Sequence, residues 1–391
     1  MGCGASGTAV SAFDQNTLHW KKAHGCRLTT REKKVFEVLK GNFKTDYSSD
    51  MKIIRIFTSS TFTDTKHERD ALMEKAYPKL KTYCQSRGYE FQVVDMRWGI
   101  RDEAADDHMT TELCLREIEA CQKLSTGPNF VTLLSHKYGQ RPLLRTIDVN
   151  EFNTIVDGIA EEETKKLVLK WYLKDENYKP SMYVLQPISV AIPNFTSPDE
   201  ELRKMAKAEW KETQSRLQVA LTDSAKVKLR DEEAVYKYIR SVTASEIEKG
   251  LFEVSDPGRS CLWFHRILKP IDSAPPDFID VKQSSDEDVS NLLDTLKKER
   301  IPSALPLENI TSYTVRCSNT NGFDPSMLEN SQYLDRLCTD FQNKLQQKVE
   351  DAIKERAMTD VNDDVFGEVL QHAKFCEEKC EMFHGQTEAL H

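Results

Sequence analysis

The stretch Ile53-Ile54-Arg55-Ile56-Phe57-Thr58-Ser59-Ser60-Thr61 decides how the rest of the chain is read. A short apolar run of β-branched character that ends in hydroxyl residues is a strand running into a polar loop. Helix follows: Leu72, Ala76, Leu80 and Tyr83/Cys84 recur at helical spacing until Gly88 stops the run, and Thr65 with Glu68 forms a capping-box pattern at its start. Residues 91–94 and 130–134 read as two further strands, with a helix over 111–124 between them. Strands that alternate with helices imply right-handed βαβ crossovers, hence a parallel sheet with helices on both faces. A helix near 150–172 and strands at Met182–Leu185 and 261–268 bring the expected sheet to five strands, with a helical insertion at about 199–250 between the last two. The prolines of 271–300 and the cluster Ser284-Ser285-Asp286-Glu287-Asp288 read as a linker. Residues 301–391 read as a helical segment, periodic at Leu334, Leu337, Phe341, Leu345, Val349 and Ile353.

At 391 residues the chain is long enough for two or three compact units. Hydrophobic residues make up 39% and charged residues 30%, the balance of a globular protein. The net charge of -9 is spread over mixed-sign stretches with no long Lys/Arg block, which argues against a nucleic-acid partner. The ten cysteines are scattered and suit free thiols in a reducing compartment, so a cytoplasmic protein is expected. No apolar run approaches the roughly 20 residues that span a bilayer.

Residues 1–50 read as a flexible basic tail. It opens Met1-Gly2-Cys3-Gly4-Ala5-Ser6, which presents Gly2 for myristoylation and Cys3 for palmitoylation. One myristoyl chain holds a membrane only marginally, so Cys3 acylation or the basic stretch around Lys21, Arg27 and Lys33 would supply the second signal. The expected location is peripheral to a membrane, by lipid anchor.

Ligands of open parallel sheets sit beyond the carboxyl ends of the strands, so the residues trailing each strand are the candidates. Ser59, Ser60 and Thr61 precede a helix whose amino end can hold a phosphate or carboxylate; ordinary capping explains the same residues. After the second strand, Asp95-Met96-Arg97-Trp98-Gly99 either grips an anionic ring-bearing ligand or is structural, with Arg97 paired to Asp95 and Trp98 covering the sheet. Glu151, near the start of a later helix, is either an exposed helical carboxylate or a group for acid-base work. His372, Cys376, Cys380 and His384 recur every four residues, but twelve helical residues span about 18 Å, too far for one zinc, and no metal is expected. The Walker, zincin and nucleophile-elbow signatures are absent.

The combination of residues 56–64, Glu68-Arg69-Asp70, Asp95 with Arg97-Trp98-Gly99, and Tyr138-Gly139 resembles the TIR-like domain of unknown function that precedes NACHT in NACHT and WD-repeat proteins and occurs in telomerase-associated protein. The lipid-acceptor start is similar to nephrocystin-type proteins. The resemblance implies a TIR-like, flavodoxin-like sheet over 51–270, with Asp64, Glu68, Arg69, Asp70, Asp95, Arg97, Trp98, Gly99, Tyr138 and Gly139 as its motif residues. It implies a non-enzymatic signalling and scaffold module, without cofactor, that captures proteins or copies of itself. The tail would lead to a NACHT domain in longer relatives. The alternative it implies is an NAD-consuming hydrolase with Glu151 as the catalytic carboxylate and NAD as substrate.

Overall fold

A computed structural model describes residues 52–97, 106–271, 274–275, 277–280, 287–317, 323–359, 372 and 375. Lys52–Asp351 form one compact unit. A second takes in 1–51 and 352–391, of which the described part is the end of the last helix, 372 and 375. Gly2, Cys3, Trp98 and Gly99 lie outside the described residues.

The first strand, β1 (Ile53–Ser59), is followed by a helical stretch made of α1 (Lys66–Ala71), a π-helical turn (Leu72–Ala76) and α2 (Tyr77–Gln85). Gly88, at φ +75°, turns the chain into β2 (Glu90–Val94). After α3 (Thr110–Leu124) and β3 (Phe130–Thr132), the chain leaves the main sheet for β4 (Thr146–Asp148), α4 (Val149–Val156), α5 (Glu162–Trp171), β5 (Tyr172–Asp175) and β6 (Met182–Leu185). The insertion is α6 (Glu200–Lys228), α7 (Glu232–Ile239), α8 (Val242–Ile247) and a π-helical turn (Glu248–Phe252). Then come β7 (Cys261–Lys269), α9 (Glu287–Thr295), a third π-helical turn (Leu296–Arg300), β8 (Ile310–Arg316) and α10 (Leu328–Thr359).

The main sheet has the order β2-β1-β3-β7-β8, and every neighbouring pair is parallel. Ile54, Ile56, Phe57, Phe130 and Val131 are fully buried, because a central strand of a parallel sheet is covered on both faces; this is why β1 is apolar through Phe57 except at Arg55, which pairs with Glu117. On one face Phe57, Phe130 and Trp263 meet Cys114, Ile118 and Cys121 of α3, Ala244 and Ile247 of α8, and Leu296. On the other, Phe264 lies 5.2 Å from Phe341 of α10, and Tyr77 of α2 lies 5.8 Å from the same ring.

Five parallel strands are present, but their membership differs from expectation in one place. Met182–Leu185 pairs antiparallel with β4 and β5 in a separate three-stranded sheet. The fifth strand of the main sheet is Ile310–Arg316, inside the stretch read as helical. An edge strand is half solvated, so it alternates apolar and polar residues and gives a weak signal. Residues 287–300, read as linker, are helical, and Leu293 and Leu296 pack into the core. No helix of the described residues is long and apolar enough to cross a membrane.

Candidate functional site

Numbered along the main sheet alone, the strand order is 2-1-3-4-5, which reverses direction between β1 and β3. The crevice beyond the carboxyl ends of those strands is where such a sheet binds ligands. Here the chain's own α8 enters it. Ser59 Oγ donates to Glu246 Oε2 at 2.6 Å, Ser241 Oγ donates to the Tyr138 carbonyl at 2.6 Å, and the Val242 amide donates to the Gln140 carbonyl at 3.0 Å. Gly139 stands at φ +100°; a Cβ there would meet Thr61 Cγ2 at 3.0 Å and Thr243 Oγ1 at 3.1 Å, so the turn needs glycine for its backbone and for the close approach of α8.

Glu246 is buried against Ser59 and Cys114. Burial pushes its pKa up to about 7, against hydrogen bonds from Ser59 and Cys114 and the charge of Arg69. A carboxyl raised in the fold contributes stability that is complete below its unfolded pKa and is lost as pH rises through the folded one. Glu246→Gln, which keeps an acceptor for Ser59 without the charge, is therefore expected to stabilise the chain at pH 8 relative to pH 5. The difference should be on the order of 3 kcal/mol, and urea denaturation at the two pH values measures it. Equal effects at both would contradict this account of Glu246.

Ser60 and Thr61 are committed as well. Ser60 Oγ accepts from Arg69 Nη1 at 2.8 Å and lies 2.9 Å from Thr65 Oγ1, and Thr61 Oγ1 donates to Asp64. The capping box is not formed. Thr65 makes no side-chain cap bond and sends its hydroxyl to the Thr61 carbonyl at 2.7 Å, while Glu68 is drawn away by a cation that the local pattern does not include.

That cation is Arg266 of β7, whose Nη1 donates to Glu68 Oε1 at 2.5 Å and to the Asp64 carbonyl at 2.7 Å. Tyr333 of α10 adds a hydroxyl donor to the same Glu68 oxygen at 3.1 Å. Burial pushes Asp64 up to about 7 against the pull of Arg266. A second knot joins β2 to α1. Arg69 Nη2 and Nε bind Asp95, and Arg97 reaches Asp95 at 2.9 Å and Asp70 at 2.8 Å. Burial raises the Asp95 carboxyl, but the bonds from Arg97 and the charge of Arg69 outweigh it and hold its pKa below the usual range.

The structure thus brings Ser59, Ser60, Thr61, Asp64, Glu68, Arg69, Asp70, Asp95, Arg97, Tyr138 and Gly139 to the carboxyl edge of one sheet. Glu151 belongs elsewhere. It starts α4 beside the three-stranded sheet, where its carboxylate accepts from Lys237 Nζ at 2.6 Å and from the Tyr238 hydroxyl. Tyr238 packs in the second hydrophobic cluster with Phe152, Trp171 and Leu217. Asp106, in the acidic stretch after β2, accepts from the Ser189 amide at 2.7 Å and its hydroxyl at 2.6 Å. Among the described residues no group of three or more His, Cys, Asp or Glu is placed to hold a metal.

Sequence reading missed Arg266 and Glu246. For Arg266 a signal existed: one arginine inside the apolar run Cys261-Leu262-Trp263-Phe264-His265-Arg266-Ile267-Leu268 is costly unless it is paired. Glu246 gave none, because a helical glutamate two residues from Glu248 and three from Lys249 reads as one more solvated charge.

Residues 55–225 match the family model described as Domain of unknown function (DUF4062). Over 359 residues the chain is 28% identical to NACHT and WD repeat domain-containing protein 2 of Mus musculus, covering 86% of this chain and 20% of that protein. Over 232 residues it is 34% identical to NACHT domain- and WD repeat-containing protein 1 of Mus musculus, covering 58% of this chain and 14% of the relative. Telomerase protein component 1 of Rattus norvegicus is 37% identical over 89 residues, 23% of this chain and 3% of that protein. The chain thus spans a fifth or less of the length of these relatives. No solved structure matches. The knot of Arg69, Asp95 and Arg97 therefore sits in a DUF4062 domain, homologous to the corresponding region of NACHT and WD-repeat proteins.

Proposed function

We propose that this chain is a signalling and scaffold module that acts by protein-protein assembly, including self-association, ahead of a NACHT domain in a longer protein. Its N-terminal Gly2 and Cys3 carry lipid and tether it to a membrane surface. The observation that carries this reading is the occupied crevice. The place where a flavodoxin-like sheet binds a small ligand holds α8, Glu246 and Thr243, so the outer surfaces are what remain for recognition. The network behind the crevice supports the same reading, since Arg69 and Arg97 are spent on Asp95 and Arg266 on Glu68 and Asp64, which makes a rigid edge rather than a reactive one.

Light scattering of the purified chain across a concentration series tests the assembly reading. Oligomers are expected, and Glu151→Ala is expected to leave them unchanged. Incubation with NAD, free and on liposomes, is expected to release no nicotinamide. A chain that stays monomeric and turns over NAD in a Glu151-dependent way would replace this reading with the hydrolase. Intact-mass analysis from cells is expected to show a myristoyl increment that Gly2→Ala abolishes, together with loss of liposome flotation.

A further inference from the structure

We propose that the carboxyl end of β3 and β7 carries a binding site for a phosphoryl group, built from His136, His265 and Lys297. The three come from different parts of the chain: the loop after β3, strand β7, and the π-helical turn Leu296–Arg300. His136 bonds the Leu268 amide of β7, the strand that carries His265, and Lys297 follows Leu296, which packs with Trp263 in the core, on the side of β3 away from the crevice that α8 fills.

Their geometry is that of donors held ready. His136 Nε2 accepts the Leu268 amide at 2.9 Å, so in the neutral ring the proton sits on Nδ1, which remains a donor. His265 is fixed by stacking on Trp263, with ring centres 4.7 Å apart, and its Nε2 is enclosed with no hydrogen-bond partner among the described residues. On the same sheet face, Thr132 Oγ1 is likewise enclosed without a partner. A buried polar atom left unmatched is costly, and a bound group that reached these two would supply the missing partners.

The charged groups that act most on the two imidazoles are cations. Burial lowers both imidazoles to about 3, and the next causes are cations: Lys297 and Arg266 for His136; Lys297, His136 and Arg266 for His265. Burial likewise lowers Lys297 to about 8, opposed chiefly by Asp294. Neighbouring carboxylates are already engaged. Asp294 bonds Lys298 at 2.8 Å, and Asp64 faces Thr61 and Arg266. Basic groups that depress one another's protonation are relieved together by a multivalent anion, and a tetrahedral phosphoryl group can accept from two imidazole N–H groups and an ammonium at once.

The test is a titration of the full chain with inorganic phosphate at pH 7, and separately with adenosine diphosphate, followed by the imidazole signals in NMR. His136→Gln and His265→Gln assign the two resonances. Both signals are expected to move on one saturating curve, with the pKa of each rising by about one unit or more. Lys297→Met is expected to weaken binding by about tenfold or more, while Lys298→Met on the exposed neighbour leaves it nearly unchanged. Adenosine diphosphate binding about tenfold tighter than phosphate would identify a nucleotide as the source of the phosphoryl group; equal affinity would identify free phosphate. The site is overturned if neither ligand moves the two signals, or if Lys297→Met and Lys298→Met bind alike. Calorimetry of the wild-type chain with inorganic phosphate needs no assignment, so the test stands even if a variant fails to fold: absence of a binding heat overturns the site. The test is also independent of assembly, so its failure leaves the scaffold reading standing.

Discussion

Arg266→Met is expected to destabilise the chain by roughly 3–5 kcal/mol, the cost of removing one partner from a buried ion pair and leaving the other charge without compensation. Arg266 is 3% exposed and ties Glu68, the Asp64 carbonyl and, through Glu68, Tyr333 of α10 to one point at the end of β7. Methionine fills much of the same volume, so the loss is electrostatic rather than a cavity. The pH dependence separates the two causes. Asp64 already stands at about 7 with the guanidinium beside it; without that cation it holds its proton to still higher pH. The damage should therefore be smaller at pH 5.5, where the carboxyl is neutral with or without the cation, than at pH 8, where the unfolded carboxyl ionises freely and the buried one has lost the cation that let it do so. Urea denaturation at both pH values measures this. Arg87→Ala, which breaks the half-exposed pair with Glu350, is the comparison and is expected to cost at most about 1 kcal/mol. A loss at Arg266 equal at both pH values would mean that packing, not charge, holds the knot.

The second large effect is expected at Gly250, in the π-helical turn after α8. A Cβ there would stand 2.2 Å from Phe130 Cδ2 and 2.3 Å from Cε2. The ring has no room to give way, being fully buried and stacked on Phe57 with centres 6.1 Å apart. Gly250→Ala is expected to destabilise by about 2–3 kcal/mol, the upper part of the cost of overpacking a well-filled core, even though alanine is otherwise the better helix former. Thermal unfolding measures it. Gly88→Ala is a useful contrast, since a Cβ there meets nothing within 4 Å and the strain comes from φ +75° alone, about 1–2 kcal/mol. If Gly250→Ala proves milder than Gly88→Ala, the π-helical turn moves as a body and does not grip β3.

The carboxyl-edge cluster was legible in part. The hydroxyl loop after β1 and the pairing of Arg97 with Asp95 follow from adjacency in the chain, and Arg69 and Asp70 sit in the helix that this loop leads into. What those groups are used for was not legible. Ser59 is 187 residues from Glu246, Glu68 is 198 from Arg266 and 265 from Tyr333, and no local period encodes such a meeting. Glu151 was a candidate because of its place after the third strand; the chain detours there into a three-stranded sheet, which gives its carboxylate to Lys237 and Tyr238.

Hydrophobic period and turn residues alone determined that strands and helices alternate, that β1 is buried on both faces, and that a long polar helix interrupts the sheet, because each depends on side chains a few positions apart. Only the tertiary structure decided that Ile310–Arg316 rather than Met182–Leu185 completes the parallel sheet, and that α8 closes the crevice. Strand neighbours and buried charge pairs are chosen by which distant surfaces exclude water together, and that choice is made by the whole chain at once.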